Sequence, residues 1–210
     1  MPRSSTKDRE LRMQRITCQV AVGGYRIAER VGSIKGVADR TIRLNGKKVS
    51  APYRSVGAGA AENSEQLLYW LRERHDQHGP RFGCGVSQCG ACTVLLDGAA
   101  TRSCTRQVHT VPDMAEVLTL DGLRGHPLQR AFVTLQAGQC AFCVNGMVMG
   151  ALGWLSQRVA AGNRTVPADE EIKDFLSGAL PESDDNYICR CGAHTRIVAA
   201  ISAAAKEMLR

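Results

Sequence analysis

Residues 82–94 read Phe82-Gly83-Cys84-Gly85-Val86-Ser87-Gln88-Cys89-Gly90-Ala91-Cys92-Thr93-Val94, and eleven residues separate Cys92 from Cys104. A C-x4-C-x2-C run with a distant fourth cysteine is the plant-type spacing for a [2Fe-2S] cluster, in which four thiolates serve two irons. Three ligands from one short loop require the backbone to wrap closely around inorganic sulfide. Gly83, Gly85, Gly90 and Ala91 leave room for that approach, and their amides can donate to sulfur. Zinc is the alternative. Its tetrahedral sites favour two short C-x(2–4)-C knuckles, whereas this set offers one such pair and a lone fourth ligand, so iron–sulfur chemistry is expected here.

A second set comprises Cys140, Cys143, Cys189 and Cys191, a C-x2-C pair and a C-x-C pair separated by 45 residues. Spacing alone leaves zinc, an iron–sulfur cluster or, in an oxidising compartment, disulfides open. Both pairs precede predicted helices, where free N-terminal amides face anionic thiolates, so a cluster between helix ends is physically reasonable. Of the nine cysteines only Cys18 has no neighbouring cysteine, and it is expected to be an unreactive thiol.

Around the first set the pattern is that of a small mixed sheet. Thr41 to Leu44 alternates polar and apolar residues, Asn45-Gly46 is a type I′ turn signal, and Lys48-Val49-Ser50 resumes a strand. Asn63 or Ser64 is placed to cap a helix carrying Leu67, Leu68, Trp70 and Leu71, which should end near Gly79-Pro80. Strands Thr93 to Leu96 and from Ala99 through Cys104, joined by Asp97-Gly98, and a last strand Val117 to Leu120 complete the set. After Gly122 the amphipathic segments Leu128 to Leu135, Asn145 to Val159, Glu170 to Leu176 and Thr195 to Leu209 predict four helices, hence a bundle. The fold class expected is α+β, with a basic N-terminal extension over 1–40, a mixed-sheet domain over 41–120 and a helical domain over 121–210.

The 210 residues are 44% hydrophobic and 22% charged, ordinary for a chain that buries a core. No stretch approaches the roughly 18 consecutive apolar residues of a membrane helix, so no membrane span is expected. The first 24 residues lack the apolar core of an export signal, which makes the cytoplasm the expected compartment and disfavours structural disulfides. Residues 1–54 hold thirteen Lys/Arg against four Asp/Glu, +9, while the rest carries −2. Only Tyr25 and Tyr53 accompany that basic segment as aromatics and it contains no nucleic-acid motif, so a solvated or partner-docking arm is expected rather than nucleic-acid binding.

Beyond the residue chemistry, the motif Phe82 to Val94, with Asp97-Gly98 and Arg102-Ser103-Cys104, resembles the cluster loop of the xanthine oxidase family of molybdenum hydroxylases. Gln139-Cys140-Ala141-Phe142-Cys143-Val144-Asn145-Gly146-Met147 and Cys189-Arg190-Cys191-Gly192 are similar to that family's second cluster motif. His126-Pro127-Leu128-Gln129-Arg130-Ala131-Phe132 and Ser87-Gln88-Cys89 are most similar to the separate small subunits of isoquinoline oxidoreductase and of aldehyde or nicotinate dehydrogenases. The resemblance runs from about Thr41 to the C-terminus. It implies a β-grasp ferredoxin-like domain followed by an all-α four-helix domain, each holding one [2Fe-2S] centre on the eight cysteines. It also implies a large partner subunit with molybdopterin cytosine dinucleotide, Cys191 lying against the pterin and Gln139 touching its polar groups. An acceptor carrying FAD or haem, in a flavin or cytochrome subunit, would receive the electrons.

The sequence departs from the family pattern in three places. An acidic stretch, Pro181 to Tyr187, is inserted before Ile188-Cys189, and a solvated surface loop is expected there. Tyr53 to Ala61 is longer and richer in Gly and Ala than the family's segment. His194 stands where the family often has an aromatic, and a hydrogen-bonded packing residue is expected. His75 and His78 lack a third ligand and are expected at the surface; Trp70 and Trp154 lie on apolar helical faces and are expected to pack in cores. With no nucleophile–base constellation and no phosphate-binding loop, the chain is expected to move electrons rather than turn over substrate. A free-standing two-cluster shuttle and a zinc-stabilised adaptor are the competing functions. An apolar partner-facing patch on Phe142, Val144 and Met147 favours an obligate subunit.

Overall fold

The computed structural model describes residues 40–51, 65–180 and 186–210. Strand β1 (Arg40–Leu44) turns back on β2 (Lys47–Ala51), with Ile42 opposite Val49. Asn45 and Gly46 both take positive φ, 51° and 79°, as the type I′ turn requires. Arg40, assigned from sequence to the extension, is the first residue of β1.

The helix expected after residue 63 is shorter than its sequence suggested. It starts at Leu67, runs as α1 (Leu67–Tyr69) and continues in π geometry over Trp70–Arg74. Its end is fixed by Asp76, whose φ of 54° breaks the helix, and by Gln77 N–H, which returns to the Leu71 carbonyl at 3.0 Å. The capping candidates Asn63 and Ser64, the segment Tyr53 to Ala61, Cys18 and the basic extension up to residue 39 lie outside the described residues.

Strands β3 (Thr93–Leu96) and β4 (Ala99–Arg102) form a second hairpin across Asp97-Gly98. The last strand, β5 (Glu116–Leu118), is central rather than terminal, in the order β2-β1-β5-β3-β4, parallel to β1 and antiparallel to β3. It stops before Leu120 because Asn45 Oδ1 accepts from Thr119 N–H at 2.9 Å, and a 3-10 turn follows over Leu120–Gly122. Ile42, Leu67, Trp70, Leu71, Val94, Val111 and Val117 close the core beneath this sheet, each worth roughly 1.5–3 kcal/mol on burial.

The four predicted helices are α2 (Pro127–Thr134), α3 (Val144–Ala160), α4 (Asp169–Ser177) and α5 (His194–Met208). A capping box opens α2, with His126 Nδ1 accepting from Leu128 N–H and Gln129 Oε1 accepting from His126 N–H. Gly178, at φ 75°, closes α4. Helix α3 is buried on all sides over Asn145–Gly153, as a helix must be when the sheet covers one face and other helices the rest. All described elements fall in one unit, Gly36–Arg210. The architecture is α+β, and among the described residues no helix is long and apolar enough to cross a membrane.

Candidate metal centres

The cysteine loop between α1 and β3 curls because three of its residues adopt positive φ: Gly85 (72°), Ser87 (64°) and Gly90 (77°). Curling turns amides inward. Val86 N–H and Gln88 N–H donate to Cys84 Sγ at 3.4 and 3.2 Å, and Cys84 N–H donates to Cys89 Sγ at 3.3 Å. A β-carbon on Gly83 would stand 2.6 Å from Cys89 Sγ, so only glycine fits beneath that sulfur. Cys92 and Cys104 are buried under Leu68, and Ser103 Oγ locks the second hairpin turn by donating to the Cys92 carbonyl at 2.7 Å.

In the helical part, Cys143 is the N-cap of α3 and Cys140 is exposed at the surface. Cys189 accepts from the amides of Ala193, Cys191 and Gly192 at the start of α5. Gln139 is exposed beside Cys140, on the face where Cys140 meets the half-buried Cys191.

The eight sulfurs associate two by two, as Cys84 with Cys89, Cys92 with Cys104, Cys140 with Cys191 and Cys143 with Cys189. Burial raises the Cys84 thiol, but the Val86 and Gln88 amides and Cys89 outweigh it and bring it down to about 7. Burial, reinforced by Cys104, pushes Cys92 up to about 12, and burial with Cys189 does the same to Cys143, also to about 12. Cys140 is lowered, chiefly by the Phe142 amide; at Cys189 burial pushes up, but the α5 amides and Cys143 win and the thiol is lowered. Among the described residues no three His, Cys, Asp or Glu side chains gather around one point suited to a single ion. Paired thiols with inward amides and a glycine cradle fit the two-thiolates-per-iron demand of a [2Fe-2S] centre.

The two sets abut. Asn145 Nδ2, in the first turn of α3, donates to the carbonyls of Ala91 and Thr93, both at 2.9 Å, and Ile188 N–H donates to the Cys89 carbonyl at 3.1 Å. Sequence reasoning places Asn145 inside a motif but gives it no role; its signal is a polar residue on an otherwise apolar helix. Other expectations need correction. Tyr187 belongs to no solvated loop, since it is 5% exposed and packs on Phe175 with ring centroids 5.3 Å apart. Met147 points into the core and Val144 is half-buried, leaving Phe142, 42% exposed, as the apolar residue presented near Cys140. His194 is exposed rather than packed, whereas His75 is half-buried against Trp70, with ring centroids 4.1 Å apart. Trp70 is a core residue, and Trp154 stacks on Phe175 at 4.6 Å.

A family model described as "[2Fe-2S] binding domain" matches residues 115–202. The small iron–sulfur chain of nicotinate dehydrogenase from Pseudomonas putida is 36% identical over 170 residues, covering 79% of this chain and 94% of that one. The alpha chain of isoquinoline 1-oxidoreductase from Brevundimonas diminuta is 39% identical over 144 residues, 67% of this chain and 85% of its own. Among solved structures, quinoline 2-oxidoreductase from Pseudomonas putida is similar with a TM-score of 0.64 and 29% identity, over 82% of this chain and 96% of that chain. The aldehyde oxidoreductase from Desulfovibrio desulfuricans is similar with a TM-score of 0.66 and 31% identity, over 80% of this chain but 17% of that much longer one. With cysteine motifs, paired thiols and near full-length relatives in agreement, this chain belongs to the small iron–sulfur subunits of the xanthine oxidase family of molybdenum hydroxylases.

Proposed function

We propose that this chain is the electron-transfer subunit of a multi-subunit molybdenum hydroxylase that oxidises an N-heterocycle or an aldehyde. Two [2Fe-2S] clusters would supply one-electron redox chemistry, from a molybdopterin subunit to an external acceptor. Cys84, Cys89, Cys92 and Cys104 would hold one, and Cys140, Cys143, Cys189 and Cys191 the other. The pairwise association of the eight thiols is the observation that carries this reading. The sheet order β2-β1-β5-β3-β4 with its crossing helix supports a β-grasp ferredoxin-like domain over 41–120, and α2 to α5 a helical [2Fe-2S] domain over 121–210.

Exposed Gln139 and Cys140, with Cys191 beside them, form the face we assign to the large molybdopterin-binding partner and its cytosine dinucleotide cofactor. The half-buried Cys84 and Cys89 would face the acceptor, a flavin or haem carrier. The names of the heterocycle-oxidising relatives favour an N-heterocycle as substrate class. Anaerobic purification with metal and sulfide analysis tests all of this. About four irons and four sulfides per chain are expected, together with a copurifying molybdenum-containing chain. Two zinc ions and no sulfide would overturn the assignment.

A further inference from the structure

Three consecutive residues, Asn186, Tyr187 and Ile188, each reach from the helical cysteine set into the frame of the other set. The Asn186 carbonyl accepts from Arg102 Nη2 at 2.9 Å; the Tyr187 ring lies under the Arg102 guanidinium, 4.5 Å from it; and Ile188 N–H donates to the Cys89 carbonyl. Arg102 stands two residues before Cys104, and Tyr187 two residues before Cys189. The guanidinium is itself anchored, donating to the buried Thr93 hydroxyl. Tyr187 is held from the other side by Phe175 and by its own N–H, which donates to the Leu176 carbonyl at 2.8 Å.

The slot that takes the ring is made of glycine. A β-carbon on Gly90 would stand 2.5 Å from Tyr187 Cδ1 and 2.8 Å from the Asn186 carbonyl, one on Gly146 would stand 3.3 Å from Tyr187 Cδ1, and one on Gly150 would overlap the ring. These three positions lie in the cysteine loop and along one face of α3, so the ring is wedged where the two halves meet. A planar cation over an aromatic face, with a carbonyl fixed by the same guanidinium, has one comfortable geometry. We propose that Arg102 and Tyr187 form a clamp that fixes the spacing between the two cysteine sets, acting as a positioning pair for electron exchange between them. The clamp presupposes the two-centre function proposed above.

The test is pulsed dipolar EPR on the fully reduced full chain, purified anaerobically with its natural partner, because dipolar coupling falls with the cube of the distance between the two reduced centres. A sharp splitting is expected for the unsubstituted protein and for Tyr187→Phe, which keeps ring and stack. Loss of that sharp splitting into a broad distribution is expected for Tyr187→Ala and for Arg102→Lys, which keeps the charge but loses the planar fork. Leu155→Ala, a core truncation at the far half of α3, serves as a comparably destabilised control and should retain the splitting. If Tyr187→Ala does not accumulate, Tyr187→Leu and Arg102→Lys carry the comparison. A sharp splitting in the clamp variants, or equal broadening in Leu155→Ala, overturns the clamp while leaving the function intact. Absence of four irons in the unsubstituted chain would instead overturn the function, and iron analysis of every sample separates the two failures.

Discussion

Replacing Asn145 with alanine probes the seam between sheet and helices. Its side chain is 1% exposed and its amide makes two hydrogen bonds at 2.9 Å, to the Ala91 and Thr93 carbonyls. Two net bonds at about 1 kcal/mol each give about 2 kcal/mol. The vacated volume adds about 1 kcal/mol, and the better helix propensity of alanine returns up to about 0.7 kcal/mol. The Ala91 carbonyl still receives Arg81 N–H at 3.1 Å, which keeps the loss at the lower end. A destabilisation of about 2–3 kcal/mol follows, or roughly 1 M in the urea midpoint at unchanged m, read by circular dichroism on anaerobic protein. Asn145→Asp should be worse, because a carboxylate would face two carbonyls without a donor. Burial would raise its folded pKa above the unfolded value of about 3.9, so the variant is least impaired near pH 4 and loses further stability as pH rises through the folded value. A loss below about 0.5 kcal/mol for Asn145→Ala, against the usual value of a buried hydrogen bond, would show that the seam does not depend on this residue.

Gly146→Ala should cost about 1–3 kcal/mol, because its β-carbon meets the Gly90 backbone carbonyl and neither backbone yields cheaply; a thermal midpoint lowered by several degrees is the check. Cys104→Ser should remove one of two paramagnetic signals from reduced protein and leave the other, whereas loss of both would contradict independent centres. In chelator-treated protein near neutral pH, iodoacetamide followed by mass spectrometry should label Cys84, held at about 7, well ahead of Cys92 and Cys143, held at about 12; equal labelling would contradict the amide cradle. His126 must stay neutral to accept from Leu128 N–H, and burial, then Arg130, lowers its pKa against the opposing pull of Glu207. Its contribution is therefore fully present above about pH 6.5 and is lost as pH falls through the lower folded value. His126→Asn, which still caps α2, should flatten the urea midpoint between pH 7 and 5.

Short-range chemistry was legible in the sequence. Asn45-Gly46 and Asp97-Gly98 encode positive φ within the turn itself, and the helix limits of α2 and α4 follow from Pro127 and Gly178, so those elements fall within a residue or two of expectation. The cysteine spacing likewise gives the loop that curls around Cys84. What escaped depends on residues far apart in the chain. β5 is central because Leu44 and Leu95 accept it from either side, and nothing within Glu116–Leu118 says so. The helix at Leu67 ends at Arg74 through Asp76 backbone geometry, although Arg72, Glu73 and Arg74 favour helix. Tyr187 reads as part of a solvated acidic loop until the glycines at 90, 146 and 150 are brought together around it. Only a fold can assemble that slot.

The thiols themselves explain why such a seam needs to be rigid. Cys92 and Cys143, both pushed up to about 12, keep their protons at neutral pH, while Cys84 and Cys189 are drawn down by amides that the fold aims at them. Buried thiols kept neutral by desolvation thus alternate with thiols prepared for the anionic form. Metal binding must displace the remaining protons, and the free energy of doing so comes from placing each sulfur opposite its partner before the metal arrives. Ordered amides at Cys84 and at the start of α5 hold half of each set in place; Asn145 and the Ile188 to Cys89 hydrogen bond hold the sets against each other. Loosening the seam would let the paired sulfurs drift apart as well as the two sets, so the same contacts that space the centres also keep each one ready to form.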